Sequence, residues 1–145
     1  MSRLIATIGI PGSGKSRWAK EYAAQNGYEI VSLDSLRSEL GDVSDQTKNY
    51  SIYLQSSERV RKYLNSGVNV IFDSTGLYKG FYRKIKKLIE DTGCEVEYKI
   101  FFCDPEVAKQ RVRQDIMTGK NRADVPDKII DRMYKMFLAR KYERA

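Results

Sequence analysis

An α/β domain built on a parallel sheet is the fold the sequence predicts, and three observations predict it. Short apolar runs alternate with segments of helical periodicity along the 145 residues. The runs Leu4 to Ile8 and Val68 to Phe72 are nearly continuous in apolar residues, as strands buried on both faces are. A glycine-rich turn, GIPGSGKS from Gly9 to Ser16, separates the first run from the first helical segment. Alternation of this kind gives parallel strands joined by right-handed crossovers.

The elements follow in order. Leu4 to Ile8 is the first strand, and Ser16 to Gln25 a helix with Trp18, Ala19, Tyr22 and Ala23 on one face, ended by Asn26-Gly27. Glu29 to Leu33 is the second strand. Asp34 stands at its carboxyl end, able to cap a short helix over Ser35 to Leu40, and Gly41 to Ser44 is a loop. Gln46 to Asn65 is a longer helix whose more apolar positions are Tyr50, Tyr53, Leu54, Val60, Tyr63 and Leu64, and Ser66-Gly67 stops it. Val68 to Phe72 is the third strand, with Asp73-Ser74-Thr75 at its end. Leu77 to Thr92 reads as a helix with a core face of Phe81, Ile85, Leu88 and Ile89 and an outer basic face of Lys79, Arg83, Lys84, Lys86 and Lys87. Glu95 to Phe102 is the fourth strand, Pro105 to about Ile116 a helix, Met117 to Val125 a polar loop, and Pro126 opens the last helix. There is no internal repeat and no linker, so residues 1–145 read as one domain with a lid around residues 111–125.

Composition narrows the chemistry. With no histidine and two cysteines, Cys94 and Cys103, outside any C-x-x-C pair, zinc sites and Cys–His or Ser–His–Asp catalysis are excluded. A general base must then be a carboxylate, and a metal a hard ion with oxygen ligands. Both cysteines read as small core residues. Apolar runs never reach membrane-spanning length and no signal-peptide core is present, so a soluble, cytoplasmic protein is expected. The net charge of +7 is uneven. From Lys79 onward 17 Lys and Arg face 11 Asp and Glu, whereas the first 78 residues carry 9 against 8. A basic C-terminal half suits a polyanionic partner, although nucleotide phosphates alone also call for cations.

The turn itself carries the sharpest signal. Gly9, Gly14, Lys15 and Ser16 occupy the fixed positions of G-x-x-x-x-G-K-[ST], the phosphate-binding P-loop, between a strand and a helix as that loop requires. Backbone N–H groups around Gly12, Ser13 and Gly14 converge on phosphate oxygens, and the helix N-terminus adds favourable partial charge. Lys15 is expected on the β- and γ-phosphates of ATP, or of another nucleoside triphosphate, and the Ser16 hydroxyl on Mg²⁺. In an open parallel sheet ligands bind beyond the carboxyl ends of the strands, and that rim also receives Asp34 and the stretch Asp73 to Thr75. A kinase acting on a hydroxyl needs a carboxylate to take its proton, a role open to Asp34 beside the simpler one of helix cap. Arg37 follows one helical turn later, able to face a substrate phosphate or to pair with an acid such as Glu39. Asp73 ends an apolar strand as a Walker B acid does near Mg²⁺, and Thr75 is a candidate for holding substrate. The segment QRVRQDIMTGKNRADVP places Arg111, Arg113, Lys120 and Arg122 around a polar loop, fit for a cationic lid over ATP or for a solvated helix face.

The run TIGIPGSGKS followed by RWAKEY, Asp34-x-x-Arg37, DSTGL from Asp73 to Leu77, and CDPEVAKQR followed by VPDKIIDRMYKMF resemble the kinase domain of phage-type 5′-hydroxyl polynucleotide kinases along essentially the whole chain. More loosely they resemble the small P-loop kinases that include the zeta toxins. The resemblance implies transfer of the ATP γ-phosphate to the 5′-OH end of DNA or RNA, and a four-stranded parallel sheet of order 2-3-1-4. It implies Lys15 and Ser16 on ATP and Mg²⁺, Asp34 as general base, Arg37 on a substrate phosphate and Arg111 as the lid arginine. Three positions depart from the pattern. Arg17 stands where threonine is usual beside the phosphates, Gly76 where asparagine is usual, and some members carry the strand-end acid at the place of Ser74. The stretch Val112 to Val125 is longer than in the phage enzyme, which leaves the second lid arginine open between Arg113 and Arg122. The 3′-phosphatase activity fused to the kinase in some relatives is not expected of these residues. The alternatives are a P-loop kinase of a small molecule, such as a nucleoside or nucleotide sugar, and a nucleotide-dependent ATPase without transfer.

Overall fold

The structure is a computed structural model and describes residues 1–33, 49–120 and 125–140, with the backbone alone for Asn49 and Tyr50. The expected helix over Ser35 to Leu40, and with it Asp34, Arg37 and Arg122, lies outside the described residues. Four parallel strands form one sheet in the order β2-β3-β1-β4, as expected. They are β1 (Arg3–Ile8), β2 (Glu29–Ser32), β3 (Val70–Asp73) and β4 (Glu95–Ile100). Five helices are described: α1 (Lys15–Asn26), α2 (Asn49–Asn65), α3 (Phe81–Thr92), α4 (Pro105–Met117) and α5 (Asp127–Arg140). β1 is central, pairing Leu4 with Val70 and Ile5 with Ile71 on one side, and Leu4 with Val96 on the other.

Strand alternation divides the core between the two faces. Ile5 and Ile71 turn to one face and meet Ala19 of α1, with Trp18, Tyr22 and Tyr28 packed around them. Leu4, Ala6, Ile8, Val70 and Phe72 turn to the other, where α2 to α5 supply Ile52, Val60, Ile85, Leu88, Val112 and Phe137. Each fully buried side chain of this kind stabilises the fold by about 1.5–3 kcal/mol. The half-exposed pair Arg3–Glu97 (2.5 Å), which links β1 to β4, is a solvent-screened surface ion pair, so the apolar layers decide the fold. α4 and α5 are joined by Lys109, whose buried Nζ reaches Asp131 Oδ1 (2.8 Å) and Glu106 Oε1 (3.0 Å). The hydrogen bond that Lys109 donates to Asp131, and then the one it donates to Glu106, holds its ammonium pKa above the usual range.

Three details differ from the sequence reading. The helix expected from Leu77 begins at Phe81, because its N-cap is Gly80 at φ 88°, a left-handed conformation no helix interior admits. The expected lid divides: residues through Met117 complete α4, a turn at Gly119 follows, and residues 121–124 are not described. Leu54 and Ile89 are exposed, whereas Ile52 and Ser56 are buried in α2.

The largest correction is Lys84, placed on the outer basic face by the sequence and buried at 5% exposure in the structure. Phe81, Lys84, Ile85 and Leu88 follow the i, i+3, i+4, i+7 spacing of one helical stripe, so the lysine enters the core with its neighbours. Its Nζ donates to Ser56 Oγ (2.5 Å) and stands 4.3 and 4.4 Å from the ring centroids of Tyr53 and Phe72. Burial pulls its pKa down from 10.5 to about 7. Between about pH 7 and the onset of tyrosine ionisation near 10, the unfolded chain therefore binds a proton that the folded chain lacks. Raising the pH through that window stabilises the fold, by up to about 1.4 kcal/mol per pH unit. In Lys84→Met this rise is absent and the protein is more stable than wild type at pH 7, an outcome read from urea unfolding at pH 7, 8 and 9.

Candidate active site

The site forms where β1 and β3 end side by side. Residues 9–14 leave β1 and fold back so that α1 starts directly beneath its carboxyl end. The turn is tied to its neighbour strand by Gly9 N, which donates to Thr75 O (2.9 Å). Gly12 has φ 83°, and a Cβ there would lie 2.4 Å from Ala108 O of α4, so only glycine lets the loop and that helix approach. Gly14 is the N-cap of α1 and brings no capping side chain, which leaves the first-turn N–H donors facing the loop. Lys15 is buried, and its Nζ donates to Ile10 O (2.9 Å) across the loop's own concavity. Ser13 is buried beside it, its Oγ 3.5 Å from that ammonium.

Strand alternation explains the second half of the site. Ile71 faces α1, so Asp73, two residues on, faces α1 as well. Its Oδ2 accepts a hydrogen bond from Ser16 Oγ at 2.8 Å, and the carboxylate is buried at 8% exposure. Thr7 lies on the same face of β1. Its Oγ1 accepts from Ser74 N (3.0 Å), donates to Ser74 O (3.0 Å) and stands 3.4 Å from Asp73 Oδ1. Ser74 Oγ is buried without a hydrogen-bond partner among the described residues. Thr75 contributes its carbonyl to Gly9, and its Oγ1 lies 3.4 Å from Leu77 N.

The cations separate. Arg111 of α4 reaches toward the loop, with Nη1 3.2 Å from Gly12 O and 3.9 Å from Cys103 Sγ. Arg113, two residues on and so on another side of the helix, turns away to hold both oxygens of Asp127 (3.1 and 2.8 Å). Arg17 is exposed beyond the loop and pairs with Glu21 at 3.4 Å. Lys120 pairs with Asp115 at 3.5 Å. The structure thus brings Gly12, Ser13, Gly14, Lys15, Ser16, Asp73 and Arg111 together and sets Arg17 and Arg113 apart from them.

The residues at this rim match a known pattern. Residues 4–139 fit the sequence family described as an AAA domain. The chain belongs to this family. Among solved structures, this AAA domain is similar to a chain of the Pnkp1/Rnl/Hen1 RNA repair complex, with a TM-score of 0.82 at 19% identity. That match covers 99% of this chain and 46% of the other, so the domain spans less than half of the chain it resembles. It is similar to the Mycobacterium tuberculosis APS kinase CysC, a structure in complex with AMPPNP and APS, with a TM-score of 0.62 at 12% identity over 93% of this chain and 96% of that one. It is similar also to a gluconokinase from Sinorhizobium meliloti 1021, with a TM-score of 0.57 at 19% identity over 91% and 73%. The fold of the AAA domain is that of the P-loop kinases, a fold that implies a bound nucleotide. No helix among the described residues is long and apolar enough to cross a membrane.

Mg²⁺ fits the residues present. A serine hydroxyl and a carboxylate meet at 2.8 Å in a pocket of oxygen donors, which suits a small hard cation, and no cluster of three His, Cys, Asp or Glu exists among the described residues to favour a softer one. Ser16 and Asp73 are the residues that would hold it.

Thr7 escaped the sequence reading, and Ser74 was placed on the rim only as part of the stretch Asp73 to Thr75, without a role of its own. The available signal for Thr7 was a hydroxyl inside the otherwise apolar run LIATI, at even spacing from Ile5 and thus on the α1 face. The separate orientations of Arg111 and Arg113 yield a direct expectation. Arg111→Ala weakens ATP binding in Mg²⁺ roughly tenfold, about 1.4 kcal/mol. Arg113→Ala, which breaks only an exposed ion pair, changes it less than about twofold. Titration calorimetry reads both, and equal losses would contradict the assignment.

Proposed function

We propose that the domain is an ATP-dependent phosphotransferase whose acceptor is the 5′-hydroxyl end of a polynucleotide. The observation that carries phosphoryl transfer is the Ser16–Asp73 hydrogen bond beside the buried Lys15, which joins a cation station to a phosphate loop at one rim. A triphosphate on this loop meets the first-turn N–H groups of α1, the Lys15 ammonium and the Arg111 guanidinium, all fixed before charge develops on the transferred group. Bound Mg²⁺ would supply further charge neutralisation at the same oxygens.

The acceptor side rests on the sequence. Asp34 directly follows Leu33, the residue beyond the carboxyl end of β2, and β2 pairs with β3 through Ser32 and Asp73. In this reading Asp34 takes the proton of the 5′-hydroxyl as its oxygen bonds to the γ-phosphorus and the bond to the ADP oxygen breaks. Arg37 holds the phosphate on the 3′ side of the first nucleotide, and Thr75 lines the approach. Three lines support a polynucleotide: the motifs shared with polynucleotide kinases, the excess of cations after Lys79, and the likeness to a chain of an RNA repair complex. The likeness to a gluconokinase and an APS kinase favours a small-molecule acceptor as the second reading.

The test is label transfer from γ-labelled ATP in Mg²⁺, offered 5′-OH DNA and RNA oligonucleotides beside nucleosides, gluconate and nucleotide sugars. The proposal expects label at oligonucleotide ends, with Asp34→Asn losing about 100-fold or more of the turnover while ATP still binds. Label on a small molecule alone, or release of free phosphate alone, would overturn the polynucleotide assignment.

A further inference from the structure

Several of the cations that make the C-terminal half basic are engaged within the fold. Lys84 is in the core, Lys87 pairs with Asp91 (3.2 Å), Lys109 with Asp131, Arg113 with Asp127 and Lys120 with Asp115. Lys79, Arg83 and Lys86 are different. All three are exposed, and among the described residues none of them forms an ion pair. Between Asp73 and Glu90 the chain carries no acidic residue that could offset them.

The row also runs against the electrostatics of its own helix. Arg83 stands in the first turn of α3 and Lys86 in the second, no acid occupies the first turn, and Glu90 and Asp91 come at the end. A helix dipole favours the opposite order. α4 and α5 follow that preference: Glu106 and Asp127 stand in their first turns, and Arg140 in the last turn of α5. The stability of α3 therefore does not account for cations at these positions, whereas a polyanion lying over them does.

Topology sets where the row begins. Residues 74–80 lead from the carboxyl end of β3 to α3, so α3 starts at the rim that holds Asp73 and Thr75 and runs back along the sheet. Thr75, then Lys79, Arg83 and Lys86 follow one another away from the site. Arg83 and Lys86 share one face a turn apart, about 5 Å along the axis. A second exposed row, Lys128, Arg132 and Lys135 of α5, has Asp127 and Asp131 on the same helix. It belongs to the β4 edge, where Phe137 packs on Phe102 (5.3 Å), and β4 is the edge opposite β2. Asp34 follows β2, so the α3 row is the one beside the acceptor side of the rim.

We infer that Lys79, Arg83 and Lys86 form a track for the polynucleotide beyond its first nucleotide, each neutralising a backbone phosphate of the strand that leaves the site past Thr75. This inference rests on the polynucleotide reading of the acceptor and extends it from the one phosphate given to Arg37 to the strand behind it.

The test compares two acceptors, a 5′-OH dinucleotide, whose single phosphate belongs to Arg37 in this reading, and a 5′-OH oligonucleotide of about a dozen nucleotides. Label transfer from γ-labelled ATP is measured at several salt concentrations in wild type and in Lys79→Gln/Arg83→Gln/Lys86→Gln. A control of equal charge loss is Lys128→Gln/Arg132→Gln/Lys135→Gln. The α3 variant is expected to raise KM for the long acceptor roughly tenfold and to reduce the log–log salt slope of its binding by about 2, since three phosphate contacts at about 0.7 each are lost. Its kcat, its KM for the dinucleotide and its ATP affinity stay at wild-type values, and the control keeps wild-type values throughout. Thermal unfolding shows the α3 variant at least as stable as wild type, because the charges removed lie where the helix dipole disfavours them. An unchanged KM and salt slope for the long acceptor overturns the track. So do equal losses on the two acceptors, or equal losses in the variant and the control. Each of these leaves the polynucleotide reading in place. Wild-type protein that labels neither acceptor overturns that reading, and the track with it.

Discussion

The junction between the carboxyl ends of β1 and β3 is the constraint on which the site depends. Two strands that pair along Leu4, Ile5 and Ala6 end at the same level, and from there their hydrogen bonds become local and specific. Thr7 holds Ser74 through both backbone groups, Gly9 is pinned to Thr75, and Ser16 at the start of α1 closes on Asp73. Each bond joins the β1–loop–α1 side to the last residue of β3 or to the residues just after it. The loop is therefore held at the strand end by a set of short contacts rather than by its own sequence alone, and the buried ammonium of Lys15 sits inside that frame. In a low-dielectric rim of this kind, fixed donors and a fixed cation act on phosphate charge without having to reorganise, which is where the electrostatic part of phosphoryl-transfer catalysis resides.

The architecture was legible wherever one signal dominated. The β2-β3-β1-β4 sheet, the strand–loop–helix around GIPGSGKS and the position of Asp73 all follow from apolar runs, a motif of fixed spacing and the alternation of strand side chains. The reading failed where a residue type was allowed to outvote its position. Charge alone points Lys84 to solvent, yet it lies on the Phe81–Ile85–Leu88 stripe, and its flexible stem lets Nζ reach Ser56 and two aromatic rings. Nearness in sequence groups Arg111 with Arg113. Two positions on a helix are about 200° apart, so one faces Gly12 and the other Asp127. No local signal in the sequence reports such pairings, since Asp127 and Gly12 belong to other elements.

Two consequences of the fold bear on how the domain works. The face of the sheet that carries α1 holds Ser16 and Asp73, while the opposite face carries the larger core and the buried Lys84. The phosphate loop is further clamped by α4, since Ala108 meets Gly12 where no side chain fits, and Arg111 rises from the same helix. α4, the helix that presents the arginine, is in turn fastened to α5 by the ion pair of Lys109 with Asp131.

The account stands most directly on the Ser16–Asp73 pair as the cation station of a phosphate loop. The measurement is ATP affinity as a function of Mg²⁺ concentration, by calorimetry, in wild type and in Asp73→Asn. Asparagine has nearly the shape of the aspartate and keeps an oxygen for Ser16, so the fold is retained and the charge alone is lost. The account predicts that Mg²⁺ strengthens ATP binding in the wild type and that Asp73→Asn loses most of that gain. An equal response to Mg²⁺ in the two proteins would contradict it.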